Sequence, residues 1–576
     1  MPSDWDLEVD FVSVGSGIGG LGAAITAHDQ GLEALVLEKS SLLGGVTAYS
    51  YGELWVAGNH LEEREGIEDS PERGLQYMLW LGAGHADEEM ARTYAYNAPA
   101  AVKYLEEKAG IPLKIIRNFS DYYYPQADNT SPEGRFIEVQ PFPSKELGEW
   151  QDRVRVSPHT PAGVTHEDMF GQGGAANMSN WDTTIMAGRI ESDERCLGNG
   201  LAGWLVKAAL DRKIQLLVDS EVTEIVAEAG VVTGVRATVQ GRNTSIRARR
   251  GVLLATGSYD YSSDNLARFD RHPEFKSALP PSITGDHLKL AGRVGARIAR
   301  VPQVLNLGIS VPGEEHDGVS LWRLALELGL PHCIIVNKHG RRFADESFYL
   351  SVGEAVENFD AGNNEYANYP CWAIVDMQHV NKYPFGSILP GQSFPDEMGA
   401  RADSVHELAV KAGIDPDGLV KEIERFNEFA VAGEDPDFQR GSKPWAHKMC
   451  GDPNGTNKNP NLGPLTEAPF FAIPLTPVGA GMCPAGLDTN VNGSVVDWDG
   501  QPIPGLYAAG NAAAQRDVGS GYQSGLANTR GLVFGHLAAL HAATTKTKDH
   551  AATAPTPRHA ASTATEGRDR WFSRRR

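Results

Sequence analysis

The sequence predicts an α/β protein in which a discontinuous, Rossmann-type nucleotide-binding domain is interrupted by an inserted α+β cap. Three observations predict it. A buried strand, a glycine-rich turn and an Ala-rich helix open the chain in that order. The 576 residues, 41% of them hydrophobic, can bury a large core and are too many for one ordinary domain. Strands ending in small residues lie before Gly257 and, far along the chain, before Asn511, so a returning C-terminal segment closes the first domain.

Residues 9–14 form the first strand, Gly15-Ser16-Gly17-Ile18-Gly19-Gly20 the turn, and a helix runs toward His28. The second strand, 34–37, ends at Glu38. GxGxxG alone is a weak signal; between a strand and a helix, with an acid about 20 residues on, it is specific. Gly15 permits the tight turn, Gly17 lets a pyrophosphate approach the backbone, and Gly20 lets helix and strand pack closely. The helix N-terminus favours phosphate, and Glu38 accepts hydrogen bonds from a ribose while repelling a 2′-phosphate. Gly198-Asn199-Gly200-Leu201-Ala202-Gly203 repeats the spacing but follows the polar stretch 191–195, so it is read as a helix start.

Helices are expected over 70–81, 87–108 and 201–210, a strand over 214–218, and a meander over 222–227 and 231–239 leading to the strand 251–256. From about Gly285 helical and loop segments alternate to a Pro- and Asn-rich connector at 452–464. Strands at 470–475 and 494–496 precede Gly505 to Gly510, and a last helix spans 529–543. The domain expectation is 1–282 plus 465–545 for the nucleotide domain, 283–464 for the cap, and 546–576 as a disordered tail.

A formal net charge of −22 argues against a nucleic-acid partner and against anionic membranes. The five cysteines are scattered without a CxxC, so no metal site and no redox pair is expected, and their use suits a reducing cytoplasm. The acidic N-terminus and the lack of an apolar run of about 18 residues predict no signal peptide and no stable membrane insertion. His159 and His166 are read as surface-loop residues, and Cys483 as a small packed residue.

Glu38-Lys39 with Gly44-Gly45-Val46-Thr47, the Thr256-Gly257 turn with Val222 in the strand before it, and Gly510-Asn511 together resemble the FAD-binding segments of the fumarate reductase/succinate dehydrogenase flavoprotein superfamily. That resemblance implies a Rossmann-type FAD-binding domain, with the last segment bringing a helix N-terminus toward the flavin. The segment around Thr47 lacks a histidine of the kind that attaches flavin, so the FAD is expected to be non-covalent.

Within the superfamily the chain most resembles the 3-ketosteroid Δ1-dehydrogenases. The resemblance is carried by residues 44–55, where Val46 replaces a usual Ser and Tyr51 and Glu53 replace glycines. Ser120-Asp121-Tyr122-Tyr123-Tyr124-Pro125, Gly340-Arg341-Arg342-Phe343-Ala344-Asp345-Glu346-Ser347 with Tyr349, Asp437 to Gly441, and Gly521-Tyr522-Gln523-Ser524-Gly525 also carry it. It implies dehydrogenation of a ring ketone, most simply a 3-oxosteroid. Tyr522 and the Gly525 amide would hold the ketone oxygen, and Tyr349 would abstract a proton with the help of Tyr122. Tyr124 and Leu526 are the alternatives in register to Tyr122 and Gly525. A hydroxyl donating to Tyr349 is expected to favour its phenolate, since a free tyrosine has a pKa of about 10. The partners implied are a cyclic ketone and an electron acceptor that the sequence does not identify. Competing readings are a Δ4-desaturating enzyme, a fumarate reductase-like enoate reductase using Arg516 or Arg530, and a flavin-binding protein without turnover.

Overall fold

The computed structural model describes residues 5–545, apart from 160–162, 271, 273 and 303; the tail expected to be disordered lies outside the described residues. Strand β1 (Leu7–Val14) is buried on both faces from Phe11 on, and the turn after it enters helix α1 (Ile18–Asp29). Strand β2 (Ala34–Leu37) pairs parallel to β1 and then to β3 (Gln215–Leu217). On the other side of β1 lies β4 (Arg242–Leu254), and beyond it β5 (Pro502–Ala508), again parallel. The spatial order is β5-β4-β1-β2-β3, extended by the antiparallel strand Ser494–Val496. The near-continuous apolar runs of these strands fit a parallel sheet covered on both faces.

Helix α2 (Leu526–Thr544) crosses α1 on one face of the sheet. Glycines allow that approach: a Cβ on Gly535 would overlap the Gly19 carbonyl, and Gly531 faces Ile18 at 3.3 Å. The meander Ser220–Glu228 and Val231–Val239 is antiparallel and runs into β4. The second GxGxxG lies inside the helix Leu197–Asp211, as its polar approach implies. Ser70 and Asp87 are N-caps whose side chains accept backbone N–H groups, so the expected helices begin one residue later, at Pro71 and Glu88.

A second sheet has the order Val319–Leu324, Asn306–His316, Phe470–Gly479, Cys371–Val375, Cys333–Asn337. Its central strand, Phe470–Gly479, was expected on the nucleotide-domain side of a boundary at 464/465; it pairs instead with Cys371–Val375 and Asn306–Gly308. Lys276–Ser277 also pairs with it, ahead of the boundary expected at 282/283. Segments 276–277 and 470–479, both expected in the nucleotide domain, are thus strands of the second sheet. Around the second sheet, Arg342 is held by Glu346 at 2.7 Å and Asp435 at 2.8 Å with all three buried, which consumes the Gly-Arg-Arg motif in structure.

His287 and His379 are fully buried, and burial pushes both imidazoles down to about 4. The unfolded chain protonates them near 6.5, so it binds protons that the folded chain refuses. Stability should fall as pH drops from about 6.5 to 4, by on the order of 3 kcal/mol per histidine. Thermal melts of wild type and His287→Gln across that range check this; the variant should lose less on acidification.

Candidate active site

A cavity of about 340 Å³ runs from the carboxyl ends of β1, β2 and β4 toward the second sheet. Gly15 and Gly17 line it, as do Glu38 and Lys39. So do Gly45, Thr47 and Val222, the pair Thr256-Gly257, and the pair Gly510-Asn511. Gly20 and Gly44 do not line it, and their roles are steric. A Cβ on Gly20 would overlap the Gly15 carbonyl, and Gly44 takes φ +104 while its N–H donates to Ser16 Oγ at 3.0 Å. Glu38 accepts from Ser16 Oγ at 2.6 Å and from Ser40 N at 2.9 Å, which fixes the carboxylate at the cavity wall. Lys39 is paired to Asp286 at 2.8 Å rather than free for a ligand. Thr47 Oγ1 accepts the Ile18 N–H at 2.9 Å and so holds its own loop against the start of α1.

The residues fit an FAD. Gly15 sits at φ +106, where a side chain would overlap the Ala255 carbonyl, and the wall beside Gly17 is open except for Thr47. At the far end, Gly525, Ala527 and Asn528 bring the N-terminus of α2 to the cavity, a position that favours negative charge. Gly20→Ala should yield a folded, colourless protein: the methyl separates α1 from the Gly15 turn. Flavin absorbance per protein after purification, with far-UV circular dichroism as the check on folding, tests it.

A smaller cavity of about 90 Å³ adjoins this end and is lined by Tyr122, Tyr349 and Tyr522. The Tyr122 and Tyr349 hydroxyls are 2.8 Å apart, and the Tyr522 ring lies 6.3 Å from each of the other two rings. Tyr122 lines this cavity, and Tyr124 lines neither. The Leu526 N–H donates to the Gln523 carbonyl at 3.2 Å, whereas the Gly525 N–H has no partner among the described residues and Gly525 lines the larger cavity. Trp445 packs 4.3 Å from the Tyr122 ring, and the Tyr122 N–H donates to Gln523 Oε1 at 3.2 Å, so the phenol is rigidly held.

The phenols are less acidic than the sequence implied. Burial raises Tyr122 and Tyr349 well above the ordinary tyrosine value; Tyr522 and the Glu53 carboxylate push both the same way, while the hydrogen bonds from Tyr349 and Ser524 pull Tyr122 down by less. Burial and Glu53 raise Tyr522 as well. No lysine or arginine lines the small cavity among the described residues, so only hydrogen bonds from neighbouring hydroxyls offset the loss of water, and only in part. Burial thus opposes the Tyr349 phenolate that a hydroxyl from Tyr122 is expected to favour.

Three residues at this site escaped sequence reasoning. Glu53, noted only as a replacement for glycine, is buried and accepts a hydrogen bond from the Ser524 hydroxyl. His166, expected on a surface loop, is 1% exposed and is clasped between Glu53 at 3.0 Å and Glu138 at 2.9 Å. Burial opposes its charge, but the hydrogen bonds to Glu138 and Glu53 outweigh it and raise the imidazole to about 9. The only local signal was the box Thr165–Asp168 that caps its helix, which says nothing about a partner so distant in sequence. His159, also expected on the surface, lines the larger cavity with Nε2 2.6 Å from the Ala278 carbonyl. Cys483 is buried against Asp260.

A parallel sheet with a glycine turn at its switch point, a cavity for a dinucleotide and a tyrosine cluster at the end where the flavin would react define a flavin-dependent oxidoreductase. The family model of the FAD binding domain matches residues 10–525, and the chain belongs to that family, with FAD as its cofactor. It is 33% identical over 547 residues to a 4-oxocyclohexanecarboxylate 2-dehydrogenase of Sinomonas cyclohexanicum, covering 93% of each chain. It is 32% identical over 578 residues to a 3-oxosteroid 1-dehydrogenase of Mycolicibacterium smegmatis, covering 93% of this chain and 98% of that one. Among solved structures it resembles the 3-ketosteroid Δ1-dehydrogenase of Sterolibacterium denitrificans in complex with 1,4-androstadiene-3,17-dione. That match has a TM-score of 0.86 at 29% identity and covers 94% of this chain and 100% of that one. The chain is an FAD-dependent oxidoreductase whose relatives are dehydrogenases acting on CH–CH groups beside a ketone.

Proposed function

We propose that this protein introduces a C=C bond α,β to the carbonyl of a ring ketone in the cytoplasm, with a 3-oxosteroid as substrate and Δ1-dehydrogenation as the reaction. One observation carries the reading: the hydrogen-bonded pair Tyr122–Tyr349 shares a cavity with Tyr522, next to the unpartnered Gly525 amide. Bound FAD supplies the hydride acceptor. The Tyr522 hydroxyl and the Gly525 N–H donate to the ketone oxygen, draw charge from the ring and make the adjacent C–H acidic. Tyr349, held by Tyr122, takes that proton.

The lining favours a neutral substrate. Phe119, Leu324, Leu326, Trp445 and Met449 make most of the small cavity apolar, and its one ionisable carboxyl is Glu53. A 4-oxocyclohexanecarboxylate, the substrate in the name of the Sinomonas relative, would meet Glu53, and Arg323, the arginine of the adjoining cavity, is already engaged by Glu314. The reductase reading loses its support here too. Arg516 is engaged by Asp87 and Asp488, and Arg530 donates to the Ala513 carbonyl and Asn511, so neither lines either cavity.

Anaerobic stopped-flow of the purified holoenzyme tests the proposal with a 3-oxo-4-ene steroid, cyclohexanone, 4-oxocyclohexanecarboxylate and succinate. The steroid should bleach the flavin fastest and the carboxylates slowest. Fast bleaching by the oxocyclohexanecarboxylate would overturn the substrate assignment. No bleaching by any ketone, with rapid reoxidation of reduced enzyme by fumarate, would overturn the reaction.

A further inference from the structure

We propose that Tyr51 and Glu327 form a second polar subsite, which takes a hydroxyl at the end of the substrate remote from the reacting ketone; this rests on the ketone-dehydrogenase reading above. Tyr51, Leu324 and Leu326 line both cavities, whereas Glu327, Arg323 and Gly386 line the larger one alone. A substrate with its ketone at Tyr522 therefore passes the two leucines before it meets Glu327. Arg323 and Glu327 belong to the lobe of the second sheet, on the strand Val319–Leu324 and on the turn Leu326–Gly329 just after it. The glycine turn of the dinucleotide site and the strand that ends at Glu38 belong to the first sheet, so the Glu327 wall faces the cofactor from across the cavity and is left to the substrate.

Each of the two side chains carries a hydrogen-bonding atom that the protein leaves unused. Glu327 Oε1 accepts the Gly386 N–H, while Oε2 has no partner among the described residues. Arg323, the arginine of the same wall, is committed elsewhere: it donates to Glu314 at 2.8 and 3.2 Å and to the Pro158 carbonyl at 3.1 Å. The Tyr51 hydroxyl has no hydrogen-bond partner among the described residues. Glu53, the other carboxyl that acts on it, already accepts from Ser524 and pairs with His166 at 3.0 Å. Tyr51 and Glu327 also feel one another. Burial pushes the Tyr51 phenol up to about 12, and the charge of Glu327 is the next cause. Burial raises the Glu327 carboxyl as well. A phenol and a carboxyl shut away from water cost free energy until something bonds them. A hydroxyl answers both at once, because it accepts from the Tyr51 O–H and donates to Glu327 Oε2. An alkyl terminus answers neither, and a carboxylate meets Glu327 as a like charge. The substrate class is therefore a neutral 3-oxosteroid hydroxylated at its far end, rather than one that ends in an apolar side chain.

The test compares turnover of two 3-oxo-4-ene steroids by the holoenzyme, one bearing a 17-hydroxyl and the other the same ring system without it. The hydroxylated steroid should show a KM lower by about 10- to 10²-fold, because the other leaves two shielded polar groups unpaired. Its kcat should be similar, since a contact far from the reacting carbons binds substrate and transition state alike. Tyr51→Phe keeps the ring and deletes the donor; Glu327→Gln keeps an acceptor for the Gly386 N–H and deletes the free one. In both variants the ratio of the two KM values should shrink by about 5-fold or more, at wild-type flavin content, and where one variant does not fold the other carries the comparison. Equal KM values in the wild type overturn the subsite and leave the dehydrogenase reading standing. A ratio that both variants preserve overturns it too, as does loss of flavin from both, which would assign Tyr51 and Glu327 to the cofactor. If neither steroid bleaches the wild-type flavin, the dehydrogenase reading itself fails, and the subsite with it.

Discussion

Tyr522→Phe should slow flavin reduction by a ring ketone about 10²–10³-fold, the usual effect of deleting one donor from a pair that stabilises a developing oxyanion. The Tyr522 phenol is held at neutral charge by burial and by Glu53, which is the state a hydrogen-bond donor needs. Phenylalanine keeps the ring packing with Tyr122 and Tyr349, so the fold and flavin content should not change. Rapid-mixing absorbance gives the rate; a variant within a factor of about three of wild type, well under the effect of one such donor, would remove Tyr522 from the carbonyl site. Tyr349→Phe should be at least as damaging, because the proton then has no acceptor beside the substrate.

Gly525→Ala should displace the amide assigned to the ketone oxygen. Gly525 has φ +84, and its added Cβ would sit 2.7 Å from Trp55 N and 2.8 Å from the Leu54 carbonyl carbon. The left-handed backbone alone costs roughly 1–2 kcal/mol with a side chain. The overlap must also move either the start of α2 or the strand Leu54–Trp55, and with it the Gly525 N–H. A misplacement of about 1 Å in such a donor can cost about 10²-fold. Gly241→Ala is the control: φ +81 with nothing near the new methyl, in a hairpin far from the cavity. It should lose the backbone share of that stability alone, and no activity. Equal kcat values for the two variants would show that the Gly525 amide plays no part.

The nucleotide half was legible because its signals are local. Residues 34–37 are a run of four apolar residues closed by an acid, and β2 has those bounds. Ser70 and Asp87 announce helix starts by capping chemistry that acts within three residues. Tyr122, Tyr349 and Tyr522 were found through a resemblance, since no local pattern marks a tyrosine as facing two others. The ion pair Glu53–His166 was illegible for the same reason: each residue sits in turn-rich sequence, and what joins them beside the tyrosines is a contact across the fold. Phe470–Gly479 shows the middle case. Its strand character was readable, but its membership in the second sheet depends on partners at 306–308 and 371–375.

The pairing of β5 with β4 has a consequence for how the protein is made. Leu506–Ala508 completes the sheet edge beside Val252–Leu254, and α2 seals the glycine turn of α1 from the outside. A ribosome delivers those segments only after residues 283–464 have emerged. Until then the nascent chain carries an open strand edge at β4 and a half-walled pocket, a state exposed to wrong pairing. The pocket is therefore walled only once 502–544 has joined 7–37, and cellular flavin supply should govern the yield of finished enzyme more than the rate at which its first strands collapse.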